Sequence, residues 1–203
     1  MPISAIIFGG RRASTTPLVY QSFDWTHGTY MGSAVSSETT AAATGAVGVL
    51  RHDPMAMKPF IGYNVGDYWA HWLEMGEKLG DKAPKIFNVN WFKKDAEGHF
   101  MWPGFGDNMR VLDWIIKRCE GKVDADETAI GFLPKPEDIN IEGLEGEVDL
   151  NQMKALVAVD KDLWKKEIVE MRRYYDEDIK AKGGKIPQAL YDVLDKIEAN
   201  LNK

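Results

Sequence analysis

The hydrophobic pattern of the chain begins with a short apolar run that predicts a buried strand. Residues 4–8 carry no charge and are followed by two glycines, as is typical of a strand that ends in a turn. In residues 85–92, apolar and polar side chains alternate, and this alternation predicts a second strand. A charged turn leads from it to residues 99–102, which would complete a hairpin.

Apolar residues recur at intervals of three and four in other parts of the chain, and this spacing predicts amphipathic helices. One helix lies within residues 59–80, and another begins at Asp107 or Asn108 and stops at Gly121. Two more belong to the acidic segment 150–203, which we expect to form a helical C-terminal tail. Their apolar positions are Trp164, Ile168, Met171 and Tyr175, then Leu190, Leu194, Ile197 and Leu201.

The remaining segments are predicted to be extended or irregular. We expect residues 29–35 and 128–133 to be extended. Residues 36–48 are small and weakly polar, and Thr40, Thr44 and Gly45 continue a helix poorly, so we expect a mobile lid loop. Strands occur early and alternate with helices, and helices finish the chain. This order predicts a mixed α/β (α+β) fold.

Composition and charge narrow the classes of function. The chain has 203 residues, of which 44% are hydrophobic, so we expect one folded domain over residues 1–203. The net charge is −6, and without a basic stripe we expect no binding to nucleic acid. No apolar run approaches the ~20 residues of a membrane helix, so no membrane partner is expected. The first fifty residues carry only four charged side chains, Arg11, Arg12, Asp24 and Glu38.

The two arginines follow a pair of glycines directly after the first predicted strand. Glycine lets the backbone turn and lets a ligand approach, and an arginine fork suits a phosphate. A candidate site for one small anion is therefore formed by Gly9, Gly10, Arg11 and Arg12. The alternative is a simple glycine turn with solvated arginines, and so short a motif does not decide between the two.

Aromatic residues are concentrated in residues 91–108. Their faces can stack on a flat nucleobase, and the amide of Asn108 offers both a donor and an acceptor to a base edge. The alternative is that the rings fill a core, as strand aromatics usually do. Phe105 argues against this alternative, because it lies between two glycines in a turn where burial is difficult. The aromatic residues are Trp91, Phe92, Phe100, Trp102 and Phe105.

Several catalytic signatures are absent from the sequence. It contains no GxxxxGK[ST] phosphate loop and no GxSxG motif. The four histidines are scattered and form no metal-binding motif. We interpret His52, His71 and the single cysteine, Cys119, as structural residues. The residue types therefore suit the holding of a nucleotide, and no catalytic set is visible.

Seven segments of the chain are long or specific enough to compare with known families. They are PISAIIFGGRR, PLVY, SETTAAA, HDPMAM, GYNVGDYWAHWLEMG, PKIFNVNWF and WPGFGDN. These segments resemble those of the GTP-dependent phosphoenolpyruvate carboxykinases. The similarity extends over essentially the whole chain, and it implies the C-terminal nucleotide-binding lobe of that fold. Because residue 2 leads directly into a core strand, we also expect one piece of a longer protein.

The resemblance implies a reaction, its cofactors and its setting. Members of the family convert oxaloacetate and GTP to phosphoenolpyruvate, CO2 and GDP in gluconeogenesis, using Mn²⁺ and Mg²⁺. It implies a cytoplasmic, monomeric full-length enzyme whose metal ligands and phosphate loop lie outside this chain, so that the isolated chain is inactive. A non-catalytic purine-nucleotide-binding module remains an alternative. An interaction protein that acts through the acidic helices is a third reading.

Matching of the motifs residue by residue implies three parts of a site. Arg11 matches an arginine that contacts the nucleotide phosphates, and Asn108 matches the residue that reads the guanine edge. The guanine pocket is matched by Phe92, Phe100 and Phe105, and the loop before Asn108 is completed by Gly106 and Asp107. The lid is matched by Ser37, Glu38, Thr40, Ala41, Ala42 and Ala43, with departures from the family at Thr44, Gly45 and Ala46.

Overall fold

A computed structural model describes residues 2–39 and 48–203. The predicted lid residues Thr40, Ala41, Ala42 and Ala43 lie outside the described residues. The strands are β1 (Ala5–Gly9), β2 (Val19–Gln21), β3 (Ser36–Glu38), β4 (Leu50–His52), β5 (Lys85–Val89), β6 (Asp126–Thr128) and β7 (Gly131–Leu133). The α-helices are α1 (Trp25–Ser33), α2 (Val65–Leu79), α3 (Asn108–Glu120), α4 (Leu150–Leu156), α5 (Lys161–Arg173) and α6 (Gln188–Leu201).

The described strands form a larger and a smaller sheet. The larger sheet has the order β1–β5–β2–β7–β6, in which β1 is parallel to β5 and the other neighbours are antiparallel. The smaller sheet pairs β3 with β4. Strand β5 has neighbours on both sides, and Ile86, Phe87 and Val89 on it are buried. A mixed larger sheet with flanking helices confirms the predicted α/β class.

Helix α1 occupies a segment that the sequence predicts to be extended. Its first turn is capped by Asp24, whose Oδ1 accepts a hydrogen bond from the backbone nitrogen of His27 at 2.7 Å. A Cβ atom at Gly28 would lie 2.3 Å from Cδ1 of Ile86 on β5. The glycine therefore lets the helix pack closely against the sheet, and this packing outweighs its low helix propensity. The prediction of an extended segment at residues 29–35 is wrong for this reason.

Two predicted strand segments also differ in the structure. Residues 128–133 do not form one strand, because β6 and β7 make a hairpin there in which Thr128 pairs with Gly131. The strand predicted for residues 85–92 ends at Val89. The predicted return strand consists of one bridge, between Lys94 and Phe100, among the residues described. The rest of that segment is loop, which is where the candidate site lies.

The helices predicted from periodicity are present. Helix α2 begins after Asn64, whose Oδ1 accepts from the nitrogen of Gly66 at 2.8 Å. Helix α3 is followed by the capping residue Gly121, which has φ 69°. Helix α5 continues into a π-helical turn over Tyr174–Ile179. Helix α6 packs against α5 and α1, so the acidic segment shares the core of the domain. Within the described ranges, no helix has the length and apolar character needed to cross a lipid bilayer.

The residues interpreted as structural have local partners. His52 is 6% exposed, stacks on Tyr174 at 3.9 Å between ring centroids, and places its Nε2 3.1 Å from Oε1 of Glu170. His71 lies on the surface beside Glu74. Cys119 is half-buried, and burial raises the pKa of its thiol.

Candidate functional site

The arginine loop, residues 9–16, begins at the end of β1 and runs beside β3. Its closest approach is at Gly10, where a Cβ atom would lie 2.3 Å from the carbonyl oxygen of Ser36. A side chain at this position would clash with backbone, which does not move aside easily. The glycine therefore makes room for β3, where the sequence suggested room for a ligand.

Hydrogen bonds fix the arginine loop to β3, the base of the predicted lid. The backbone nitrogen of Glu38 donates to the carbonyl oxygen of Arg11 at 2.8 Å. In return, the nitrogen of Arg11 donates to Oγ of Ser37 at 3.1 Å, and the nitrogen of Ala13 donates to Oε1 of Glu38 at 3.0 Å. The described lid residues Ser37 and Glu38 are thus anchored to the loop that carries Arg11.

The two arginines have different surroundings. Arg12 is 9% exposed, and its Nη1 and Nη2 donate to the carboxylate of Glu167 at 2.7 and 2.5 Å. Burial lowers the pKa of Arg12, but the hydrogen bond and charge of Glu167 more than offset this and raise it above its ordinary value. Arg11 is exposed, and its guanidinium has no partner in the described part of the chain. Arg11 is therefore the arginine that is available to an anion.

The aromatic loop, residues 91–108, follows β5 and presents three phenylalanines. Phe105 is 96% exposed and Phe100 is 59% exposed, while Phe92 is half-buried. The rings of Phe92 and Phe100 meet edge to face, with centroids 5.9 Å apart and planes at 77°. Nζ of Lys94 lies 5.1 Å from the centroid of Phe100. Rings this exposed do not fill a core, whereas the neighbouring Trp102 is 2% exposed and does.

Phe105 is held in solvent by an unusual backbone conformation. Its φ is 48°, in the left-handed region that residues other than glycine rarely adopt. Gly104 before it has φ 79° and ψ −161°, a conformation that is essentially restricted to glycine. Glycine adopts this conformation without strain, whereas the left-handed conformation of Phe105 costs about 1–3 kcal/mol. Strained residues of this kind cluster at functional sites and ligand clamps, so Phe105 is a candidate for contact with a ligand.

The end of the aromatic loop forms the start of α3. Oδ1 of Asn108 accepts a hydrogen bond from Nε1 of Trp102 at 2.9 Å. Oδ1 of Asp107 accepts from Nε of Arg110 at 2.9 Å, so the charge of this carboxylate is paired. Gly106 is exposed, and a Cβ atom there would meet nothing within 4 Å. Asn108 and Phe105 are thus carried by one short turn.

A buried asparagine that the sequence reasoning missed joins the two loops. Asn90 is 0% exposed and follows directly after β5. Its Oδ1 accepts from the backbone nitrogens of Arg12 and Phe92, both at 3.2 Å. Its Nδ2 donates to the carbonyl oxygens of Arg12 at 2.8 Å and Thr16 at 2.9 Å. This side chain therefore uses all of its hydrogen-bonding capacity to hold the arginine loop against the aromatic loop.

The topology explains why these two loops meet. Strands β1 and β5 are parallel and end in register, with Gly9 beside Val89. Their C-terminal ends therefore lie at the same edge of the sheet, where ligand sites of α/β folds are usually found. A backbone hydrogen bond of 2.8 Å from Lys94 to Ala13 adds a further link between the loops.

The sequence did not identify Glu167 or Trp102 as a functional residue either. Glu167 had a usable signal, because it lies three residues after Trp164 and four before Met171, on the apolar face of α5. An acid on such a face needs a buried partner. Asn90 had no such signal, because a polar residue in an alternating strand is expected to face solvent. Trp102 was counted only as one of several aromatic residues.

A metal site is not found in this part of the chain. Across residues 2–39 and 48–203, no group of three or more histidine, cysteine, aspartate or glutamate side chains could hold a metal ion. The Mn²⁺ and Mg²⁺ implied by the resemblance therefore do not fit the residues described, and no residue of the site is assigned to them.

The fold and the site define an α/β domain that presents a free arginine and exposed aromatic rings at one sheet edge, as suits a nucleotide. Comparison with known families gives the narrower assignment. The family described as "Phosphoenolpyruvate carboxykinase C-terminal P-loop domain" matches residues 1–200. The chain belongs to this family.

Curated relatives agree with this assignment. Phosphoenolpyruvate carboxykinase [GTP] of Renibacterium salmoninarum is 52% identical over 203 residues, which cover 99% of this chain and 32% of the relative. The protein of that name from Treponema pallidum (strain Nichols) is 50% identical, covering 100% of this chain and 32% of the relative. The cytosolic form of Gallus gallus is 48% identical, covering 89% and 28%. The chain thus spans about a third of the length of the curated relatives it matches.

Proposed function

We propose that this chain is the guanine-nucleotide-binding part of a phosphoenolpyruvate carboxykinase (GTP). The observation that carries the proposal is the link made by Asn90. It holds the loop of the free Arg11 and the loop of the exposed phenylalanines at the same edge of the sheet. A nucleoside phosphate needs both features at a fixed separation, because its base and its phosphates belong to one molecule.

The aromatic loop supplies the base pocket in this proposal. Phe92, Phe100 and Phe105 stack on the purine, and base–aromatic stacking contributes roughly 1–3 kcal/mol per base. Asn108 hydrogen-bonds the edge of the base, with Gly106 and Asp107 shaping the turn that carries it. The exposure of Phe105 and Phe100 in the structure supports this assignment, because a solvent-exposed ring is accessible to a base.

The arginine loop supplies part of the phosphate site. The guanidinium of Arg11 binds phosphate oxygens and offsets charge that spreads over them during phosphoryl transfer. Glu167 neutralises Arg12, so the buried charge pair holds the loop without competing for the ligand. Residues 36–48 act as the lid, and the anchoring of Ser37 and Glu38 to the Arg11 backbone supports a lid that closes over this site.

The whole protein, in this proposal, converts oxaloacetate and GTP to phosphoenolpyruvate, CO2 and GDP. The lid excludes water while the enolate formed by decarboxylation accepts the phosphoryl group. Residues that bind oxaloacetate, Mn²⁺ and Mg²⁺ belong to the part of the relatives that this chain does not match. We place the whole protein in the cytoplasm as a monomer. We expect the isolated chain to have no carboxykinase activity.

Isothermal titration calorimetry of the purified chain with GDP and with ADP tests the proposal. We expect saturable binding of GDP and much weaker binding of ADP. Arg11→Met should weaken GDP binding by roughly tenfold or more, as expected for a lost charge-assisted contact. Arg51→Met is the matched control, because Arg51 is exposed on β4 and lies outside both loops. No binding of GDP by the wild-type chain would refute the proposal.

A non-catalytic purine-nucleotide-binding module is the second candidate. The exposed rings of Phe100 and Phe105 support it equally, because base–aromatic stacking does not require guanine. The titrations separate the two candidates, because a general purine module binds GDP and ADP with similar affinity. Strong preference for GDP supports the carboxykinase assignment, since Asn108 must then distinguish the two bases.

A further inference from the structure

We propose that Trp102 is a positioning residue that fixes the amide of Asn108 in the orientation that accepts guanine and rejects adenine. This role rests on the proposed function, because it assumes that Asn108 faces the base. The contact that carries it is the 2.9 Å hydrogen bond from Nε1 of Trp102 to the side chain of Asn108. This hydrogen bond determines which end of the Asn108 amide faces the ligand.

The chemistry of the indole decides the orientation of the amide. An indole nitrogen is a donor only, so the atom of Asn108 that it contacts must be the acceptor, Oδ1. The other end of the amide, Nδ2, has no hydrogen-bond partner in the part of the chain that is described. The side chain of Asn108 is partly exposed, and Asn108 therefore presents two N–H donors to a ligand.

The opposite orientation is strongly disfavoured by the burial of Trp102. The tryptophan is 2% exposed, so water cannot replace Asn108 as its partner. Rotation of the amide by about 180° would bring Nδ2 against the indole N–H, two donors with no acceptor between them. A buried donor that loses its partner is costly. The indole therefore fixes the orientation of the Asn108 amide.

The position of the Trp102 indole is itself supported by helix α4. Nε2 of Gln152 on α4 donates to the carbonyl oxygen of Met101 at 2.7 Å, and the nitrogen of Met101 donates to the carbonyl oxygen of Lys93 at 2.9 Å. Both backbone polar atoms of Met101, the residue before Trp102, are therefore hydrogen-bonded. The indole is thus kept at a fixed place relative to the first turn of α3.

The two purines differ at the position that such an amide meets. Guanine presents the acceptor O6 beside the acceptor N7, whereas adenine presents the N6 amino donor there. An amide fixed with Nδ2 outward donates to guanine and opposes adenine with a second donor. The selectivity for guanine then depends on a residue, Trp102, that is buried beneath the amide.

The test compares the GDP-over-ADP preference of the chain, measured by calorimetry, with that of two variants. Trp102→Phe keeps most of the ring volume and removes the N–H. The matched control is Trp114→Phe, because Trp114 is 0% exposed and its Nε1 has no partner in the described structure. We expect the preference to fall by about tenfold in Trp102→Phe, the factor that corresponds to ~1.4 kcal/mol, and to persist in Trp114→Phe.

A second variant gives the same test without changing the core. Asn108→Asp keeps the acceptor for Trp102 and presents a further acceptor, in place of the donors, to the base. We expect GDP affinity to fall more than ADP affinity. If the amide instead met guanine through its oxygen, Asn108→Asp would retain or improve the preference for GDP, and the orientation proposed here would be overturned.

Hydrogen exchange of the Trp102 indole proton, followed by NMR without nucleotide, tests the hydrogen bond between Trp102 and Asn108 by itself. Slow exchange in the wild-type chain and faster exchange in Asn108→Ala support it, and exchange as fast as that of an exposed indole overturns it. Absence of GDP binding by the wild-type chain refutes the proposed function, together with the role in selectivity. GDP-selective binding that Trp102→Phe leaves unchanged, or that Trp114→Phe abolishes equally, overturns the positioning role alone.

Discussion

Replacement of Glu167 tests how the two arginines divide their roles. Glu167 and Arg12 form a bidentate pair at 2.7 and 2.5 Å, with side-chain exposures of 10% and 11%. The Glu167→Gln variant keeps the shape of the side chain and removes its charge. Arg12 then remains a buried cation whose other acceptors are Oγ of Ser36 at 3.0 Å and, more distantly, Glu38 at 3.8 Å.

The structure gives the expected size of this effect. Removal of one partner from a buried ion pair costs about 3–5 kcal/mol, because the other charge is left uncompensated. Ser36 and Glu38 retain part of the compensation, so we expect the lower end, about 3 kcal/mol. For a domain of this length, about 1 kcal/mol shifts Tm by ~2–4 °C, so Tm should fall by roughly 6–12 °C.

Urea unfolding and thermal melting of four variants, each compared with the wild-type chain, measure this cost. Arg12→Met should be destabilised as Glu167→Gln is, whereas the double variant Arg12→Met/Glu167→Leu should recover much of the stability, because it buries no lone charge. Glu198→Gln is the control, since Glu198 forms an exposed pair with Arg172 at 3.0 Å, worth ~0–1 kcal/mol. A loss below about 0.5 kcal/mol in Glu167→Gln, or additive losses in the double variant, would contradict the reasoning.

Three further predictions concern the core and the loops. Burial lowers the pKa of His27 to about 4 from 6.5, and its Nδ1 accepts from the nitrogen of Phe23 at 3.0 Å. The unfolded chain therefore binds a proton first as pH falls, and stability should drop by about 2 kcal/mol between pH 7 and pH 5. In His27→Gln, the loss of unfolding free energy between pH 7 and pH 5, measured by urea unfolding, should be smaller by that amount. An identical loss in the variant and the wild-type chain would refute this prediction. Phe105→Ala should leave stability within about 0.5 kcal/mol, because the ring is exposed. It should weaken GDP binding about 5- to 150-fold in calorimetry, through lost stacking, and unchanged affinity would contradict the base pocket. Asn90→Ala should cost at least about 2 kcal/mol and remove amide exchange protection at Arg12 and Phe92 together, whereas loss at only one loop would speak against a shared link.

The hydrophobic period predicted most of the helices correctly, because one side of each of them is buried against the same core. It also predicted the position of the first strand, but the expected burial is wrong: β1 lies at the edge of the sheet, where Phe8 is buried and Ile7 is 41% exposed. Helix α1 could not be predicted in this way. Nearly all of it is buried, so it shows no polar face, and Gly28 is there for its contact with Ile86. Packing between distant residues decided its conformation, and propensity did not.

The candidate site could be predicted in its residue types and not in its geometry. The sequence marks Arg11 and Arg12 equally, and only Glu167, 155 residues away from Arg12, distinguishes them. The positive φ of Phe105 and the bond from Trp102 to Asn108 depend on how the loop is folded. The part played by Asn90 is of the same kind, because it is visible only once β1 and β5 are placed side by side.

Backbone amide chemical shifts, followed by NMR during titration with GDP, test the central claim most directly. If the two loops form one nucleotide site, the largest changes will fall in both of them, at Arg11 in the arginine loop and at Phe92, Phe105 and Asn108 in the aromatic loop. ADP at the same concentration should produce much smaller changes there. Changes confined to one loop, located elsewhere in the domain, or equal for GDP and ADP would contradict the account.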